Sequence, residues 1–267
     1  MFGGAEHRNS THNRKEKPMI WRRKKEEPRA WVVRGGEVQN LTLAVLGSEH
    51  TLIAGTTGCG KSTLLNGMMS DLLKSKAPSE ARLILIDPKR SELQYLKDLP
   101  HTIGYADDVD KAVDLFAWAV KEMDRRYKVI QEERSRVYRG ADIYIVIDEI
   151  HPLVLSKRRG EVWQLLSLLL TQGRASGIHV IACTQCPNRA CLPNTINPLF
   201  TTRIGMRCVS PIESRQVIGF KGCEALPKHG RVLVVYEGSL HEVRVPMTNF
   251  AELDELVEYW ESDRCRA

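Results

Sequence analysis

A glycine-rich loop followed by a lysine and two hydroxyl residues constrains the fold of this chain more than any other feature. The stretch TLIAGTTGCGKSTLLNGMM, residues 51–69, contains the spacing Gly55-x-x-x-x-Gly60-Lys61-Ser62, with an apolar run before it and an amphipathic run after it. This order of strand, loop and helix is the P-loop pattern, in which backbone N–H groups and a helix N-terminus surround a phosphate. The pattern therefore predicts an ATP-binding site.

The chemistry of this loop assigns a role to each of its residues. The glycines allow the backbone to turn tightly enough for successive N–H groups to point at a phosphate. Lys61 is expected to reach the β- and γ-phosphates, Ser62 to place its hydroxyl on Mg²⁺, and Thr63 to begin the helix. The predicted nucleotide-binding residues are Gly55, Thr56, Thr57, Gly58, Cys59, Gly60, Lys61, Ser62 and Thr63.

Alternating strands and helices indicate the fold class. Apolar runs predict the strands TLIA, RLILID, IYIVID and IHVIACTQ, and helical patterns cover residues 61–75, 108–137 and 161–174. This alternation predicts an α/β P-loop NTPase of the RecA-like kind, with a doubly wound, mostly parallel sheet flanked by helices. Because chemistry gathers at the carboxyl ends of parallel strands, we expect Asp87, Asp148 and Gln185 near the phosphate loop.

An acidic pair in YIVIDEI supplies the second half of the nucleotide chemistry. Asp148 closes the strand and is expected to hold Mg²⁺ directly or through water. Glu149 is expected to polarise the water that attacks the γ-phosphate. The extra strand RLILID, between the loop and this pair, resembles the additional-strand, catalytic-glutamate class of P-loop ATPases. We therefore predict an enzyme that hydrolyses ATP.

Charge divides the chain into segments. The net charge is +6, and residues 1–30 carry nine Lys/Arg against four Asp/Glu. We expect residues 1–37 to form a basic, disordered arm that suits nucleic acid or an anionic lipid surface. A solubilising tail without a specific partner remains an alternative. Residues 38–250 are predicted to form the ATPase domain, and residues 251–267 an acidic amphipathic helix or tail.

The cysteines and the hydropathy bear on the cellular compartment. No apolar run approaches about 18 residues, and no signal-peptide pattern is present at the N-terminus. Seven cysteines, an odd number, then predict reduced thiols in a cytoplasmic protein. Cys183, Cys186 and Cys191 have ligand-like spacing, but a structural zinc site has four ligands and usually a second cysteine pair. We therefore interpret Cys183 as a buried strand residue and assign no metal here.

Several motifs together carry a resemblance to a known family. In chain order they are AGTTGCGKSTLLNGM, RLILIDPKRSEL, LPH, EMDRRYK, IVIDEI, GRASGIHVIACTQCP and TRIG…ESRQVIG. From about residue 38 to residue 245 the chain resembles the motor domain of FtsK/SpoIIIE-type double-stranded DNA translocases. The resemblance implies a homo-oligomer, a hexameric ring, that threads duplex DNA through its centre and closes each ATP site with a neighbouring subunit.

The resemblance also implies roles for individual residues. Arg174, in GRASGIH, matches the arginine finger, which neutralises charge that develops on the γ-phosphate of a neighbour. Arg203 and Arg215 are the alternative candidates for the finger. The alternative interpretation of Arg174 is an arginine at a helix end that interacts with the C-terminal dipole. Gln185 matches the polar sensor that contacts the attacking water or the γ-phosphate.

A basic turn is the predicted track for DNA. The segment SKRRG matches a family region that contributes basic residues to the central channel, so Lys157, Arg158 and Arg159 are expected to contact phosphates without reading sequence. An exposed basic turn without a ligand remains possible. Other arginines lie among glutamates and are interpreted as a subunit interface or a solvated face. They are Arg125, Arg126, Arg134, Arg136 and Arg139.

Departures from the family pattern leave other functions open. Cys186 stands where the family has an arginine in TQRP, so the role of that arginine is absent or passes to Arg189. We find neither the family's membrane-spanning N-terminus nor its C-terminal winged-helix module in this sequence. We therefore expect a motor domain without these parts, from a plasmid, an integrative element or a phage. The alternatives are a protein-translocating ATPase of the type VII secretion kind and a HerA-like or packaging DNA motor. A non-hydrolysing scaffold is disfavoured by Glu149 and Gln185.

Overall fold

A single mixed sheet organises the described part of the chain. The computed structural model describes residues 31–33, 38–39, 50–245 and 248–262. The strands are β1 (Trp31–Val33), β2 (Val38–Gln39), β3 (Thr51–Ala54), β4 (Ala81–Ile86), β5 (Thr102–Ala106), β6 (Asp142–Ile147), β7 (Ile178–Thr184), β8 (Thr202–Gly205), β9 (Arg231–Tyr236) and β10 (Ser239–Arg244). Their order across the sheet is β2-β1-β10-β9-β8-β3-β7-β6-β4-β5.

Helices connect the strands. They are α1 (Lys61–Ser75), α2 (Val109–Glu132), α3 (His151–Val154), α4 (Arg159–Gln172), α5 (Pro211–Ile218) and α6 (Phe250–Glu261). Helix α1 has the bounds that the sequence predicts. Among the helices of the described residues, none has both the length and the apolar character that a bilayer crossing requires.

The part of the sheet from β8 to β5 is parallel, and the part from β8 to β2 is antiparallel. Parallel strands with helices on both faces are buried on both faces, which explains their near-continuous apolar sequences. Along β4, Leu83 and Leu85 join the hydrophobic cluster under α1, whereas Ile84 and Ile86 join the cluster under α2 and α4. The predicted α/β, doubly wound, mostly parallel fold is confirmed.

Two predicted helix boundaries differ from the structure. Helix α2 begins beside Asp108, whose side chain accepts the Lys111 N–H at 2.8 Å, but it ends at Glu132 rather than at residue 137. Two residues after this end, Arg134 takes a left-handed φ of 49°, a backbone conformation that does not continue a helix. Helix α4 spans Arg159–Gln172 instead of residues 161–174, so that Arg174 lies in a separate 3₁₀ turn.

Of the predicted N-terminal arm, residues 1–37, the structure describes only residues 31–33. Residues 1–30 lie outside the described residues. Strand β1 lies within the segment 1–37 that the sequence assigns to the arm, and its backbone pairs antiparallel with β10, with Val33 opposite Val243. The sheet therefore begins inside that segment.

The acidic C-terminal helix is part of the folded domain. Leu253 and Leu256 of α6 are buried, and Trp260 Nε1 donates to the Leu73 carbonyl of α1 at 3.1 Å. Lys74 and Glu252 form an ion pair between the same two helices. These contacts hold α6 against the helix that follows the phosphate loop.

His50, directly before β3, is a base held neutral by the fold. Its Nδ1 accepts the Val180 N–H at 3.0 Å, and the residue is fully buried. An acceptor nitrogen carries no proton, so protonation would break this hydrogen bond. Burial first, and then the neighbouring His179 and Arg174, lower the pKa of His50 to about 3.

This burial predicts a loss of folding stability in weak acid. Unfolded His50 takes up a proton near its ordinary pKa of about 6.5, whereas folded His50 stays neutral. The contribution is therefore present above about pH 6.5 and is lost as the pH falls, by about 2 kcal/mol at pH 5. Denaturant unfolding at pH 7.5 and pH 5 should give a smaller loss for His50→Gln than for the wild type. Equal losses in the two proteins would contradict this prediction.

Candidate active site

The phosphate loop joins β3 to α1, and its three glycines are needed for two different reasons. Gly58 and Gly60 have positive φ angles of 74° and 95°, which favour glycine. Gly55 is needed for space, because a Cβ there would lie 2.6 Å from Met206 Cβ. The Thr56 N–H donates to the Arg207 carbonyl at 2.9 Å, which fixes the loop against the end of β8. The structure thus gives the loop the shape that its sequence predicts.

Lys61 and Asp148 are both buried beside this loop. Lys61 is 7% exposed at the first position of α1, and Asp148 is 5% exposed directly after β6. Burial raises the pKa of Asp148 to about 6, with Lys61 acting in the opposite direction and Asp87 adding repulsion. A buried carboxylate in such a position is stabilised by a divalent cation that prefers oxygen ligands. The donor set therefore fits Mg²⁺.

Glu149 is positioned by main-chain donors from two strand ends. Its carboxylate, 2% exposed, accepts the Gln185 N–H at 3.2 Å and the His151 N–H at 3.3 Å. Lys89 Nζ lies 3.4 Å from its Oε2. These contacts hold the acid that we expect to polarise water at the carboxyl ends of β6 and β7. Lys89 was not among the predicted site residues, although it lies in the motif RLILIDPKRSEL.

Gln185 connects the phosphate loop with Glu149. Its Oε1 accepts the Thr57 hydroxyl at 2.9 Å, while its backbone N–H reaches Glu149. The strands prepare this contact, because Ala54 pairs with Thr184 and the Gly55 N–H donates to the Thr184 carbonyl at 3.2 Å. Gln185 therefore lies where the predicted sensor of the nucleotide should lie.

Asp87 lies at the carboxyl end of β4, as predicted, but its hydrogen bonds serve a loop. Its Oδ2 accepts the N–H groups of Glu92 and Leu93 at 3.1 and 3.0 Å, and the residue is fully buried. Asp87 is near enough to Asp148 to raise the pKa of that carboxyl group. Its direct role is to hold the turn that carries Lys89.

Arg174 lies at the other edge of the sheet. It comes before β7, whose opposite end pairs with Ala54 beside the phosphate loop. A strand of seven residues is about 20 Å long, much more than the reach of an arginine side chain. Because of this length, Arg174 is too far away to complete the ATP site of its own chain. Its side chain is exposed in the turn before β7. This placement agrees with action on a neighbouring subunit.

Buried Arg126 fixes the turn that carries Arg174. It is 4% exposed and donates to the main-chain carbonyls of Ser176, Gly177 and Ala141 at 2.8, 3.2 and 2.9 Å. The interpretation of Arg126 as part of an interface or a solvated face is therefore wrong, because helix periodicity did not reveal its buried partners. The 3₁₀ turn Arg174–Ser176 is thereby held against α2.

The alternative finger residues differ in exposure. Arg203, in β8, is partly buried, and burial lowers its pKa. Its Cα pairs with Leu52 in the middle of the sheet. Arg215 is exposed on α5. Of these two, Arg215 is the one that is better placed to meet another molecule.

The predicted DNA-contacting residues are not equivalent. Lys157 is exposed in the turn between α3 and α4, and Arg159 is exposed at the first position of α4. Arg158 forms ion pairs with Asp110 and Glu161, each at 2.9 Å. Two carboxylates already compensate its charge, so Lys157 and Arg159 are the better candidates for phosphate contacts.

Comparison with known sequences places these features in a family. The model of the FtsK/SpoIIIE family matches residues 13–216. The chain is 34% identical over 213 residues to the DNA translocase FtsK of Borreliella burgdorferi, which covers 74% of this chain and 27% of that protein. It is 31% identical over 269 residues to the DNA translocase FtsK of Agrobacterium fabrum, with coverages of 84% and 30%. The chain thus spans less than a third of the length of these relatives.

Solved structures share the fold. The pCW3 conjugation coupling protein TcpA, a monomer form with ATPγS, has a TM-score of 0.72 at 23% identity, covering 88% of this chain and 71% of that one. The cytoplasmic domain of the type VII secretion ATPase EccC of Thermomonospora curvata has a TM-score of 0.68 at 20% identity, with coverages of 91% and 32%. These likenesses confirm the P-loop ATPase fold.

The two halves of the site should be separable by mutation. Lys61→Ala should weaken ATP binding, because the phosphates lose their buried cation. Glu149→Gln should bind ATP nearly as well as the wild type but hydrolyse it about 10²–10⁴-fold more slowly, because the amide is a poor base. Calorimetric titration with ATP and phosphate-release assays measure the two effects. Wild-type turnover by Glu149→Gln would contradict the role of this carboxylate.

Proposed function

This chain belongs to the FtsK/SpoIIIE family, and we propose that it is an ATPase that uses hydrolysis to translocate double-stranded DNA. The observation that supports this most is the meeting of the phosphate loop with Asp148, Glu149 and Gln185 at the carboxyl ends of β3, β6 and β7. ATP binding, hydrolysis and a sensor are thereby combined in one place. The names of both relatives, DNA translocase, indicate the substrate.

In this proposal the phosphate loop and Lys61 bind the β- and γ-phosphates of ATP. The N-terminus of α1, which begins at Lys61, adds the positive end of its dipole. Ser62 and Asp148 would hold Mg²⁺, which supplies positive charge to the β- and γ-phosphate oxygens when bound. Burial of Asp148 supports this role, because a bound cation offsets the cost of a desolvated carboxylate.

Glu149 would act in hydrolysis itself, and Gln185 would sense the nucleotide. Glu149 polarises the attacking water from the position that the Gln185 and His151 N–H groups give it. A phosphate in the loop would compete for the Thr57 hydroxyl, which donates to the Gln185 side chain. Gln185 touches both the loop and Glu149, so occupancy of the loop can change the position of the carboxylate through a single residue.

Arg174 would complete the ATP site of a neighbouring subunit in a ring. Its exposure, its distance from its own phosphate loop and the firm support by Arg126 favour a contact in trans. Such a finger stabilises charge on the γ-phosphate in the transition state and contributes about 10³–10⁵ in rate. A hexamer is the ring size that we propose.

DNA would pass along exposed basic residues of the ring. Lys157 and Arg159 contact phosphates in this proposal, and residues 1–37 capture DNA before it enters the ring. Such contacts do not read sequence, which suits a motor that holds any duplex. We further propose that the protein works in the cytoplasm in transfer or partition of a mobile element. The name of the structural neighbour TcpA, a conjugation coupling protein, agrees with that role.

Duplex DNA should stimulate ATP hydrolysis irrespective of its sequence, and DNA affinity should fall steeply with salt, because bound phosphates release counterions. The variant Lys157→Ala/Arg159→Ala should flatten the plot of log affinity against log salt by about 2, since each lost contact removes about 0.9. Two exposed lysines elsewhere, in Lys97→Ala/Lys121→Ala, provide the matched control. ATPase and DNA-binding assays across a salt series give both quantities.

Two results would count against this assignment. If the control variant changes the salt dependence of DNA affinity equally, Lys157 and Arg159 are not specific DNA contacts. An ATPase indifferent to linear duplex DNA at low salt would contradict DNA translocation and favour the protein-translocating alternative.

Arg174→Ala should bind ATP almost as the wild type does but lose hydrolysis by about 10³-fold or more, because the lost contact acts in the transition state. Mixing Arg174→Ala with Lys61→Ala subunits should restore part of the activity. Some mixed interfaces then join an intact phosphate loop to an intact finger. Turnover assays on mixtures of defined ratio measure this recovery.

The oligomer must be verified in the same samples by light scattering. Near-wild-type turnover by oligomeric Arg174→Ala would show that another residue is the finger. Arg215→Ala and Arg203→Ala are then the variants to measure.

A further inference from the structure

A histidine and two cysteines converge at the edge of the candidate active site. One ring nitrogen of His151 and the thiol sulfurs of Cys186 and Cys191 all lie within 4.8 Å of one another. Cys191 is 1% exposed, whereas His151 and Cys186 are partly exposed. The group therefore has one buried anchor and an open side that water can reach. None of these side chains takes part in the ATP chemistry described above.

The fold builds this cluster from the two segments that follow β6 and β7. Strands β6 and β7 are parallel neighbours, so the residues that follow them, His151 and Cys186, meet at the same edge. Asn188 then turns the chain back, because its Oδ1 accepts the Cys191 N–H at 3.0 Å. The Asn188 amide also donates to Cys186 Sγ at 3.0 Å. An amide N–H on sulfur stabilises a thiolate, as the outer partners of metal ligands do.

The donor atoms suit one class of cation. Two thiolates and an imidazole prefer Zn²⁺, whereas Mg²⁺ and Ca²⁺ take oxygen ligands. In tetrahedral zinc sites, with Zn–S near 2.3 Å and Zn–N near 2.0 Å, ligand atoms lie about 3.5–3.8 Å apart. The ring nitrogen and the two sulfur atoms lie at most 4.8 Å apart here, so small side-chain rotations bring them to that geometry. A disulfide between the cysteines would give the imidazole no role.

We propose that His151, Cys186 and Cys191 bind one Zn²⁺, with water in the fourth position. The site is separate from the oxygen-lined site of Asp148 and Ser62, and its metal binding does not depend on the proposed function. It does touch the same carboxylate, because the His151 and Gln185 N–H groups donate to Glu149. A zinc ion on His151 and Cys186 cross-links the two segments that carry these donors. Bound zinc therefore fixes the position of Glu149.

The test uses the full chain without nucleotide, loaded with Zn²⁺ and purified with a reductant. Mass spectrometry of the metal should find one zinc per chain in the wild type. Cys186→Ser and Cys191→Ser should lose it, and His151→Ala should bind zinc at least about 100-fold more weakly in a chelator competition, since even outer partners contribute about 10–100-fold. The matched control is Cys208→Ser, which removes a buried thiol in contact with Cys223 and should keep its zinc.

Replacement of Zn²⁺ by Co²⁺ reports the ligands directly and does not need a folded variant. The wild type should give the thiolate-to-cobalt absorption and the visible spectrum of a tetrahedral site. A wild type that stays free of zinc after loading would overturn the proposal. Equal zinc in the wild type and the three cluster variants would overturn it too. So would a Cys186–Cys191 disulfide, found by peptide mapping of the protein purified with a reductant.

Discussion

The position of β7 between β3 and β6 decides which groups meet at the candidate active site. On one side the Thr184 carbonyl accepts the Gly55 N–H and starts the phosphate loop. On the other side the next residue, Gln185, donates to Glu149 beyond the end of β6. Parallel register thus places a phosphate-binding loop and an acidic pair at one edge, as open α/β sheets do. Without this register the loop, Asp148 and Glu149 would be unrelated motifs.

The same strand connects the phosphate-loop edge of the sheet with the turn that carries Arg174. Residues 178–184 of β7 are all buried, residues 178–182 pair with β6 and residues 181–184 pair with β3, so the strand belongs to the most stable part of the sheet. At its beginning, Arg126 holds the turn that presents Arg174. At its end, Gln185 contacts the loop through Thr57. In the proposed ring, a displacement at one end of this strand would move the other end, and would thereby connect the ATP site with Arg174.

Local patterns in the sequence could predict the loop, the bounds of α1, the central strands and the burial of Cys183, because each depends on residues close in the chain. Non-local contacts were beyond such patterns. Helical periodicity could not reveal that Arg134 would end α2, nor that Arg126 would find buried carbonyls about fifty residues away. Lys89 meets Glu149 only because β4 and β6 are neighbours. Spacing along the chain also could not bring His151 to Cys186 and Cys191, because His151 follows β6 whereas the two cysteines follow β7.

Gln185 and Cys186 are consecutive, yet they contact different sites. The side chain of Gln185 faces the phosphate loop, while Cys186 lies with His151 and Cys191. Their shared backbone includes the N–H that donates to Glu149. Any force that moves this short segment, from a phosphate on one side or a metal ion on the other, changes the hydrogen bond to the same carboxylate. In the proposed zinc site, the metal ion would therefore act on Glu149 through the Gln185 N–H without contacting the nucleotide.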